Sequence, residues 1–180
     1  YIGLTIIEIF CLFFIGNMSL FDSINHGFTT MATGGFSTRD ASIGYYDSLT
    51  IEIIIIIFMF IGGINFTLIW LMIANEYIKA FKDEEFKTYL VYIFTAVCFI
   101  MVALIANNVS LGNSFRQSLF QAISIGTSTG YTTQDYMLWP AVAQFVLMVL
   151  MIVGACAGST SGGLKLMRII LAFKVAMREL

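Results

Sequence analysis

The sequence contains few of the residues that build catalytic, metal-binding or nucleic-acid-binding sites. Only 11% of its 180 residues are charged and the formal net charge is −2, whereas soluble domains carry about 25% charged residues. It has one histidine, and its three cysteines, Cys11, Cys98 and Cys156, stand far apart in apolar stretches without the spacing of metal ligands. A Ser-His-Asp set and a phosphate-binding loop are also missing. We therefore expect neither an enzyme nor a nucleic-acid-binding protein.

Hydrophobic residues, in contrast, make up 59% of the chain, and this composition indicates an integral membrane protein. The sequence begins at Tyr1, inside an apolar run, without an initiator methionine. It has no basic region followed by a cleavage site, so no signal peptide is predicted. We interpret it as a piece of a longer chain.

Four apolar segments predict four membrane-spanning helices, at residues 1–17, 49–74, 89–106 and 137–173. A span needs roughly 20 apolar residues, so the first segment reads as truncated. The fourth is too long for one straight span. We expect it to be broken.

The basic residues set the orientation of these spans. Seven of the nine lie either in the linker of residues 76–88 or at the C-terminal end, from Lys165 onward. The positive-inside rule makes this side cytoplasmic. The chain has no row of regularly spaced arginines, so no voltage sensor is expected.

Two polar, glycine-containing windows lie between the predicted spans, on the outer side. Residues 19–40 and 114–135 align without a gap. Five aligned pairs are identical: Ser19/Ser114, Ser23/Ser118, Gly35/Gly130, Thr38/Thr133 and Asp40/Asp135. Each window follows one apolar segment and precedes another, which indicates an internal repeat.

Each window predicts a short helix followed by a loop. The helices are expected at residues 19–31 and 114–126, and the loops at residues 32–37 and 127–132. The expected N-cap pairs are Ser19 with Asp22 and Ser114 with Gln117. About twelve helical residues are too few to cross a bilayer, so these helices would enter the membrane and return.

The predicted fold is therefore an all-α membrane protein of potassium-channel type. It has two tandem parallel repeats, residues 1–75 and 89–180, each made of a span, a re-entrant pore helix and a second span. Irregular backbone at membrane depth is tolerated only where protein covers it or where it lines a watery path. Two such loops predict a pore.

The loops have the composition of a cation selectivity filter. Freed carbonyl oxygens can replace the hydration shell of a cation, and the C-terminal end of a helix dipole favours positive charge. The expected potassium-binding residues, through their backbone, are Ala32, Thr33, Gly34, Gly35, Thr127, Ser128, Thr129 and Gly130. Phe36 and Tyr131 are expected to pack behind the loops and hold them open.

Both loops are similar to the TVGYG filter of potassium channels. They depart from it at the final glycine, which is replaced by Ser37 and Thr132. Ordinary glycine-rich turns between spans are the alternative interpretation.

The fourth apolar segment is interrupted at residues 154–163, "GACAGSTSGG". Such a stretch should unwind or kink a helix. Its position on the cytoplasmic side of the filter predicts a gate formed by Gly154, Gly158, Ser159, Thr160, Ser161, Gly162 and Gly163. The alternative is close helix packing through small residues. The second span has only "GGIN", residues 62–65, at the matching place, so the repeat symmetry is expected to fail there.

Five other polar residues have an alternative interpretation each. His26 is either a pH sensor or, as we favour, a hydrogen-bonded structural residue. Glu8 and Glu52 lie in or near spans, where carboxylates are functional candidates, although Glu52 is close enough to the outer end to reach water. Asp40 and Asp135 would either attract cations or, preferably, cap the loops.

Three long motifs identify a family. "ATGGFSTRDASIGYYDS", "STGYTTQDYMLWP" and "GACAGSTSGGLKLMRIILAFK" resemble the TrkH-type potassium uptake proteins of the Trk/Ktr/HKT superfamily. The resemblance covers nearly the whole chain and implies four pore repeats in one chain, of which this sequence would hold the second and third. It also implies one filter glycine per repeat and an intramembrane loop that controls permeation.

The resemblance further implies a homodimer in the bacterial inner membrane, associated with a cytoplasmic nucleotide-binding regulatory subunit. The transported potassium ion would be the only ligand, with no bound cofactor. Other classes remain open from the residues alone: a two-repeat potassium channel whose dimer completes the pore, an ion-coupled transporter, and a structural subunit. The first would need an initiator methionine and a full TVGYG, and the second a charged substrate pocket. The third leaves the twin loops unexplained.

Overall fold

The computed structural model describes residues 1–179, apart from the side chain of Tyr77. No strand occurs among these residues, and nine α-helices are seen. They are α1 (Ile2–Phe10), α2 (Leu20–Met31), α3 (Leu49–Gly62), α4 (Phe66–Ile73), α5 (Tyr77–Lys82), α6 (Glu84–Ala106), α7 (Leu111–Gly126), α8 (Ala141–Val153) and α9 (Leu166–Glu179). The predicted all-α fold is confirmed.

The first segment forms one nearly continuous helix and the first re-entrant helix follows it. A wider π turn, Cys11–Ile15, extends α1. The chain then turns into α2, whose N-cap is Ser19: its hydroxyl accepts the Asp22 N–H at 3.1 Å. This helix has twelve residues and lies against α1 and α3.

The second apolar segment is bent, contrary to the expectation of one continuous span. Helices α3 and α4 meet at 105°. The bend falls at "GGIN", where the Asn65 carboxamide accepts the Thr67 N–H at 2.9 Å and so begins a new helix. Both repeats are thus interrupted at the matching place, but the first has a three-residue bend and the second an irregular stretch between Val153 and Leu166, so the repeats still differ there as predicted.

The linker of residues 76–88 is largely helical rather than a loop. It contains α5 and the first turn of α6, where the Asp83 carboxylate accepts the Phe86 N–H at 2.9 Å. The third span therefore begins at Glu84 instead of residue 89. Helix α6 is the one helix within residues 1–179 that alone is long and apolar enough to cross a membrane, and the bent α3–α4 pair is a second if counted together.

The second re-entrant helix begins three residues earlier than expected. Helix α7 starts at Leu111 because the Ser110 carbonyl accepts the Ser114 N–H at 2.8 Å, which places Ser114 inside the helix. The Ser114 hydroxyl donates to the Val109 carbonyl instead of capping the helix. The predicted Ser114–Gln117 cap is wrong.

The fourth apolar segment is broken as expected, with different helix bounds. Tyr136–Leu138 forms one 3₁₀ turn before α8, and α8 ends at Gly154, where φ is 73°. An irregular stretch follows before α9. Helix α6 packs against α7, α8 and α9 and forms the centre of the second repeat. An ion pair of 2.5 Å between Lys174 and Glu84 joins α9 to the first turn of α6.

Candidate functional site

The first loop is folded back onto the end of α2. The Thr29 carbonyl accepts the N–H groups of Gly34 (2.7 Å) and Gly35 (3.4 Å), and the Thr30 carbonyl accepts that of Thr33 (2.9 Å). Thr33 and Gly35 have positive φ, 50° and 64°, and Gly34 between them does not. The N–H groups of residues 33–35 therefore all donate to carbonyls at the C-terminal end of α2.

The second loop repeats this backbone arrangement. The Ser124 carbonyl accepts the N–H groups of Thr129 (2.9 Å) and Gly130 (3.2 Å), and the Ile125 carbonyl accepts that of Ser128 (2.9 Å). Ser128 and Gly130 again have positive φ, 60° and 88°. The low sequence identity of the two windows thus conceals the same local structure.

Three consecutive carbonyls in each loop are left without donors. Within residues 1–179, no hydrogen bond reaches the carbonyl oxygens of residues 33–35 or 128–130. A carbonyl withheld from other donors is available to a dehydrated cation. This is what separates these loops from ordinary turns, in which carbonyls pair within the turn.

The two loops touch each other. A Cβ added at Gly35 would overlap the carbonyl group of Thr129, whereas one at Gly130 would meet no atom within 4 Å. Gly35 is therefore required both by its positive φ and by the close approach of the second loop.

Tyr131 fastens the second loop to the first pore helix. Its ring is fully buried, and its hydroxyl lies 2.5 Å from the Thr29 Oγ1 and 3.4 Å from the Thr30 Oγ1. The expectation that Tyr131 packs behind the loop agrees with this position. Phe36 does not do so, because its side chain is 76% exposed. Tyr131 is covered by the preceding pore helix, and residues 1–179 contain no pore helix before α2 to cover Phe36 in the same way.

A side-chain hydroxyl braces each loop at its outer end. The Thr29 hydroxyl donates to the Phe36 carbonyl at 2.9 Å, and the Ser124 hydroxyl donates to the Tyr131 carbonyl at 2.6 Å. Thr29 and Ser124 occupy aligned positions in the two windows. The repeat is therefore conserved in the hydrogen bonds that shape the loops.

An ionic network holds the outer side of the first loop. The buried Asp22 carboxylate accepts from the Thr38 hydroxyl at 2.6 Å and from the Arg39 guanidinium at 2.9 Å. His26 is buried, with Nδ1 2.7 Å from the Asp22 carbonyl oxygen and Nε2 3.0 Å from the Ser37 hydroxyl. Since a carbonyl only accepts, Nδ1 carries the proton. These bonds fit the structural role favoured for His26.

The two span carboxylates lie in different surroundings. Glu52 does not reach water: it is buried and forms a two-point ion pair with Arg116, at 2.6 and 2.9 Å. This pair ties α3 to α7 and so joins the two repeats. Glu8 is fully buried in α1, and its oxygens have no hydrogen-bond partner among the described residues. Asp135 accepts the Met137 N–H at 3.0 Å, which is a local cap.

The irregular stretch of residues 154–163 lies directly against the filter loops. The Thr33 hydroxyl donates to the Thr160 carbonyl at 2.9 Å, and the Thr160 hydroxyl donates to the Gly62 carbonyl at 3.2 Å. A Cβ at Gly162 would lie 3.6 Å from the Ser128 hydroxyl. The stretch therefore contacts both loops, and we call it the gate loop after the role predicted from the sequence. It forms no helix, in contrast to the interpretation as helix packing through small residues.

Two further contacts fix the gate loop, one from α6 and one from the bend between α3 and α4. The Glu85 carboxylate accepts the Ala157 N–H at 2.6 Å, and the Gly63 carbonyl accepts the Cys156 N–H at 3.2 Å. Glu85 is buried although it lies in the charged linker of residues 76–88. The signal that identifies it is its spacing, since Glu85 and Tyr89 are four residues apart and share the inner face of α6. The bend at "GGIN" thus contributes one of the hydrogen bonds, from the Gly63 carbonyl, that hold the gate loop in position.

Comparisons with known proteins agree with this geometry. The family model described as "TrkH: Cation transport protein" matches residues 1–180. The chain is 42% identical over 183 residues to the Trk system potassium uptake protein TrkH of Escherichia coli K12, covering all of this chain and 38% of that protein. It is 34% identical to TrkG of the same organism, covering 92% of this chain and 35% of that protein.

A solved structure shows the same fold. The crystal structure of the potassium transporter TrkH from Vibrio parahaemolyticus matches with a TM-score of 0.92 and 38% identity, over 99% of this chain and 39% of that one. The chain therefore spans less than two fifths of the length of these relatives.

Proposed function

Because this chain belongs to the TrkH family of cation transport proteins, we propose that it supplies the second and third pore repeats of a potassium uptake protein of four repeats. Two findings support this assignment. It holds two units in which a short helix and its loop lie between apolar helices, and its relatives named as potassium uptake proteins are more than twice as long. A two-repeat channel whose dimer forms the pore is not favoured for the same reason.

The single observation that carries the proposal is the pair of filter loops, in which the carbonyl oxygens of residues 33–35 and 128–130 accept no hydrogen bond within residues 1–179. A potassium ion would shed its water and bind successively to the carbonyls of residues 32–35 and 127–130, together with the loops of the other repeats. The ends of α2 and α7 point their negative dipole ends toward this path. The side chains contribute only by holding the backbone, as Tyr131 and Thr29 do.

The gate loop would close the path on the cytoplasmic side of the filter. Its contacts with Thr33 and Ser128 support this position, directly beside the proposed filter. Opening requires the gate loop to leave Thr33, Gly62 and Glu85, and each of these contacts is a small number of hydrogen bonds. Such a gate can be moved without unfolding a helix.

The assembly is proposed on the family resemblance. It comprises a homodimer in the bacterial inner membrane and a cytoplasmic nucleotide-binding subunit that acts on the gate. Potassium is the cargo, and we propose no cofactor and no enzymatic reaction. The relatives are named as a "Trk system" and as transporters, which supports transport as the activity.

The test is cation flux through the full-length protein in liposomes, comparing potassium with sodium, for the unsubstituted protein and Gly130→Ser. Gly130 needs positive φ, so we expect serine to lower potassium flux or to shift selectivity toward sodium. Gly112→Ser is the matched control, because Gly112 lies in the first turn of α7 with no atom near an added Cβ. Unchanged flux and selectivity in Gly130→Ser would show that the loops are not the ion path.

A further inference from the structure

We propose that the ammonium group of Lys165 is a built-in cation of the gate loop. It occupies an oxygen cage that a monovalent cation would otherwise fill, and it holds the gate loop in the conformation that closes the path. The inference rests on the proposed function, since it assigns a residue to the closing of that pore.

The cage is made of carbonyl and hydroxyl oxygens from two serines. The Lys165 Nζ lies 3.4 Å from the Ser159 carbonyl oxygen, 3.5 Å from the Ser159 hydroxyl and 3.3 Å from the Ser161 hydroxyl, and it also donates to the Ser161 carbonyl. Carbonyl and hydroxyl oxygens are the ligands that potassium takes in a filter. An ammonium on a four-carbon stem presents the same single positive charge to them.

The cage lies between the two contacts of the gate loop with the filter. Ser161 is buried, and its chain neighbours are Thr160, which accepts the Thr33 hydroxyl, and Gly162, which faces Ser128. The ammonium group of Lys165 is therefore bound at Ser161, and the two chain neighbours of Ser161 contact the first and second filter loops. Loss of this charge would free the segment that touches both.

The backbone of Lys165 is arranged to turn the side chain into the loop. Its φ is 72°, a conformation that non-glycine residues rarely adopt. Its N–H donates to the Val153 carbonyl at 3.0 Å, so the strained residue is fixed to the end of α8. A lysine at the start of a cytoplasmic helix ordinarily extends its ammonium into water. Here the half-buried side chain points back among the serines instead.

Among the described residues, no other charged group near the gate loop occupies the oxygen cage. Glu85 is bound to the Ala157 N–H on the α6 side of the loop. Arg168 is exposed on α9, three residues after Lys165. Lys165 is thus the one cation within residues 1–179 whose charged group is enclosed by the gate loop.

The test measures rubidium flux through the full-length protein in liposomes without a regulatory subunit. We expect Lys165→Gln and Lys165→Met to raise this unstimulated flux by about tenfold or more, the size expected when charge-assisted hydrogen bonds that stabilise a closed state are lost. Arg168→Gln removes the same charge one turn away and should leave the flux unchanged. Two Lys165 variants are used so that a folding failure of one, seen by size-exclusion chromatography, does not decide the result.

A second measurement uses a free cation in place of the missing one. Ethylammonium applied to the cytoplasmic face of excised patches should restore closure in the Lys165 variants. It should have little effect on the unsubstituted protein, whose cage is filled, and on Arg168→Gln. Restored closure would show that the positive charge of Lys165 is what holds the gate loop, and not the packing of its side chain.

Two results would overturn the inference. One is unstimulated flux in both folded Lys165 variants equal to that of the unsubstituted protein; the other is an equal rise in Arg168→Gln. If Gly130→Ser still alters selectivity in the same preparation, the pore assignment stands and only the role of Lys165 fails. If Gly130→Ser is also silent, the proposed function fails with it.

Discussion

The hydroxyl of Tyr131 lies 2.5 Å from the Thr29 Oγ1, and this contact joins the second filter loop to the first pore helix. The same Thr29 braces its own loop by donating to the Phe36 carbonyl. One threonine therefore sets the position of both loops. The geometry of the filter is consequently a property of the pair of repeats and not of either one alone.

Removal of the Tyr131 hydroxyl should loosen the filter without changing its backbone carbonyls. Tyr131→Phe loses hydrogen bonds that contribute about 1 kcal/mol, so we expect selectivity for potassium over sodium to fall several-fold while flux persists. The measurement is the flux ratio of the two ions in liposomes. Tyr45→Phe, at an exposed tyrosine between α2 and α3, is the control, and equal effects in the two variants would contradict the contact.

The two adjacent glycines of the first loop should differ sharply in tolerance. Alanine at Gly35 would place its Cβ on the Thr129 carbonyl and would need φ of 64°, whereas a Cβ at Gly34 has its nearest neighbour at 3.5 Å, an ordinary contact. We expect Gly35→Ala to abolish selective potassium flux and Gly34→Ala to retain most of it. Ion flux and protein yield decide the matter, and a tolerated Gly35→Ala would show that the two loops are not in contact.

The Thr33 hydroxyl should couple the filter to the gate loop. Thr33→Val keeps the shape but removes the hydrogen bond to the Thr160 carbonyl, so unstimulated rubidium flux should rise several-fold, in line with about 1 kcal/mol for one hydrogen bond. Thr33→Ser retains the hydroxyl, as Ser128 does in the second repeat, and should behave like the unsubstituted protein. A rise in both variants would place the effect elsewhere.

The ion pair of Glu52 and Arg116 should contribute to stability rather than to conduction. Arg116→Met leaves the buried Glu52 charge unpaired, which costs about 1–3 kcal/mol for a pair whose arginine is partly exposed. We expect a lower thermal midpoint in detergent, partly recovered in the double variant with Glu52→Gln. The exposed pair of Lys79 and Glu76 is the control, and its loss should have no measurable effect.

The family, the all-α fold and the repeat could be predicted because apolar periodicity and the filter motifs are local in the sequence. The bend at Asn65 could not, because it depends on a carboxamide that caps α4 and on the Gly158 carbonyl, which accepts the Phe66 N–H at 3.1 Å from a distant part of the chain. The position of Glu85 also arises from a tertiary contact, with Ala157, and that of Lys165 from its positive φ and its contacts with Ser159 and Ser161. From composition alone, charged residues near the ends of spans are expected to be in contact with water. Only the fold shows that the side chains of these two residues point into the protein.

The exposure of Phe36 also shows that burial depends on tertiary packing, which the sequence alone does not give. Its aligned partner Tyr131 is buried because α2 lies behind it. An apolar side chain in the sequence indicates a preference for burial, but it does not indicate which helix packs over that side chain. Tyr131 takes its cover from the other repeat, and residues 1–179 hold no pore helix before α2 that could cover Phe36 in the same way.

The last prediction uses the difference between the two repeats at one polar contact. Asp22 and Arg39 form a 2.9 Å ion pair in the first repeat, and the aligned residues of the second are Gln117 and Gln134. Because Asp22 is buried, Arg39→Gln leaves a carboxylate with fewer donors and should lower the thermal midpoint and the potassium flux. Asp22→Gln with Arg39→Gln copies the neutral pair of the second repeat. The double variant should therefore recover most of both losses, and a double variant as impaired as Arg39→Gln would show that the first loop requires the charges themselves.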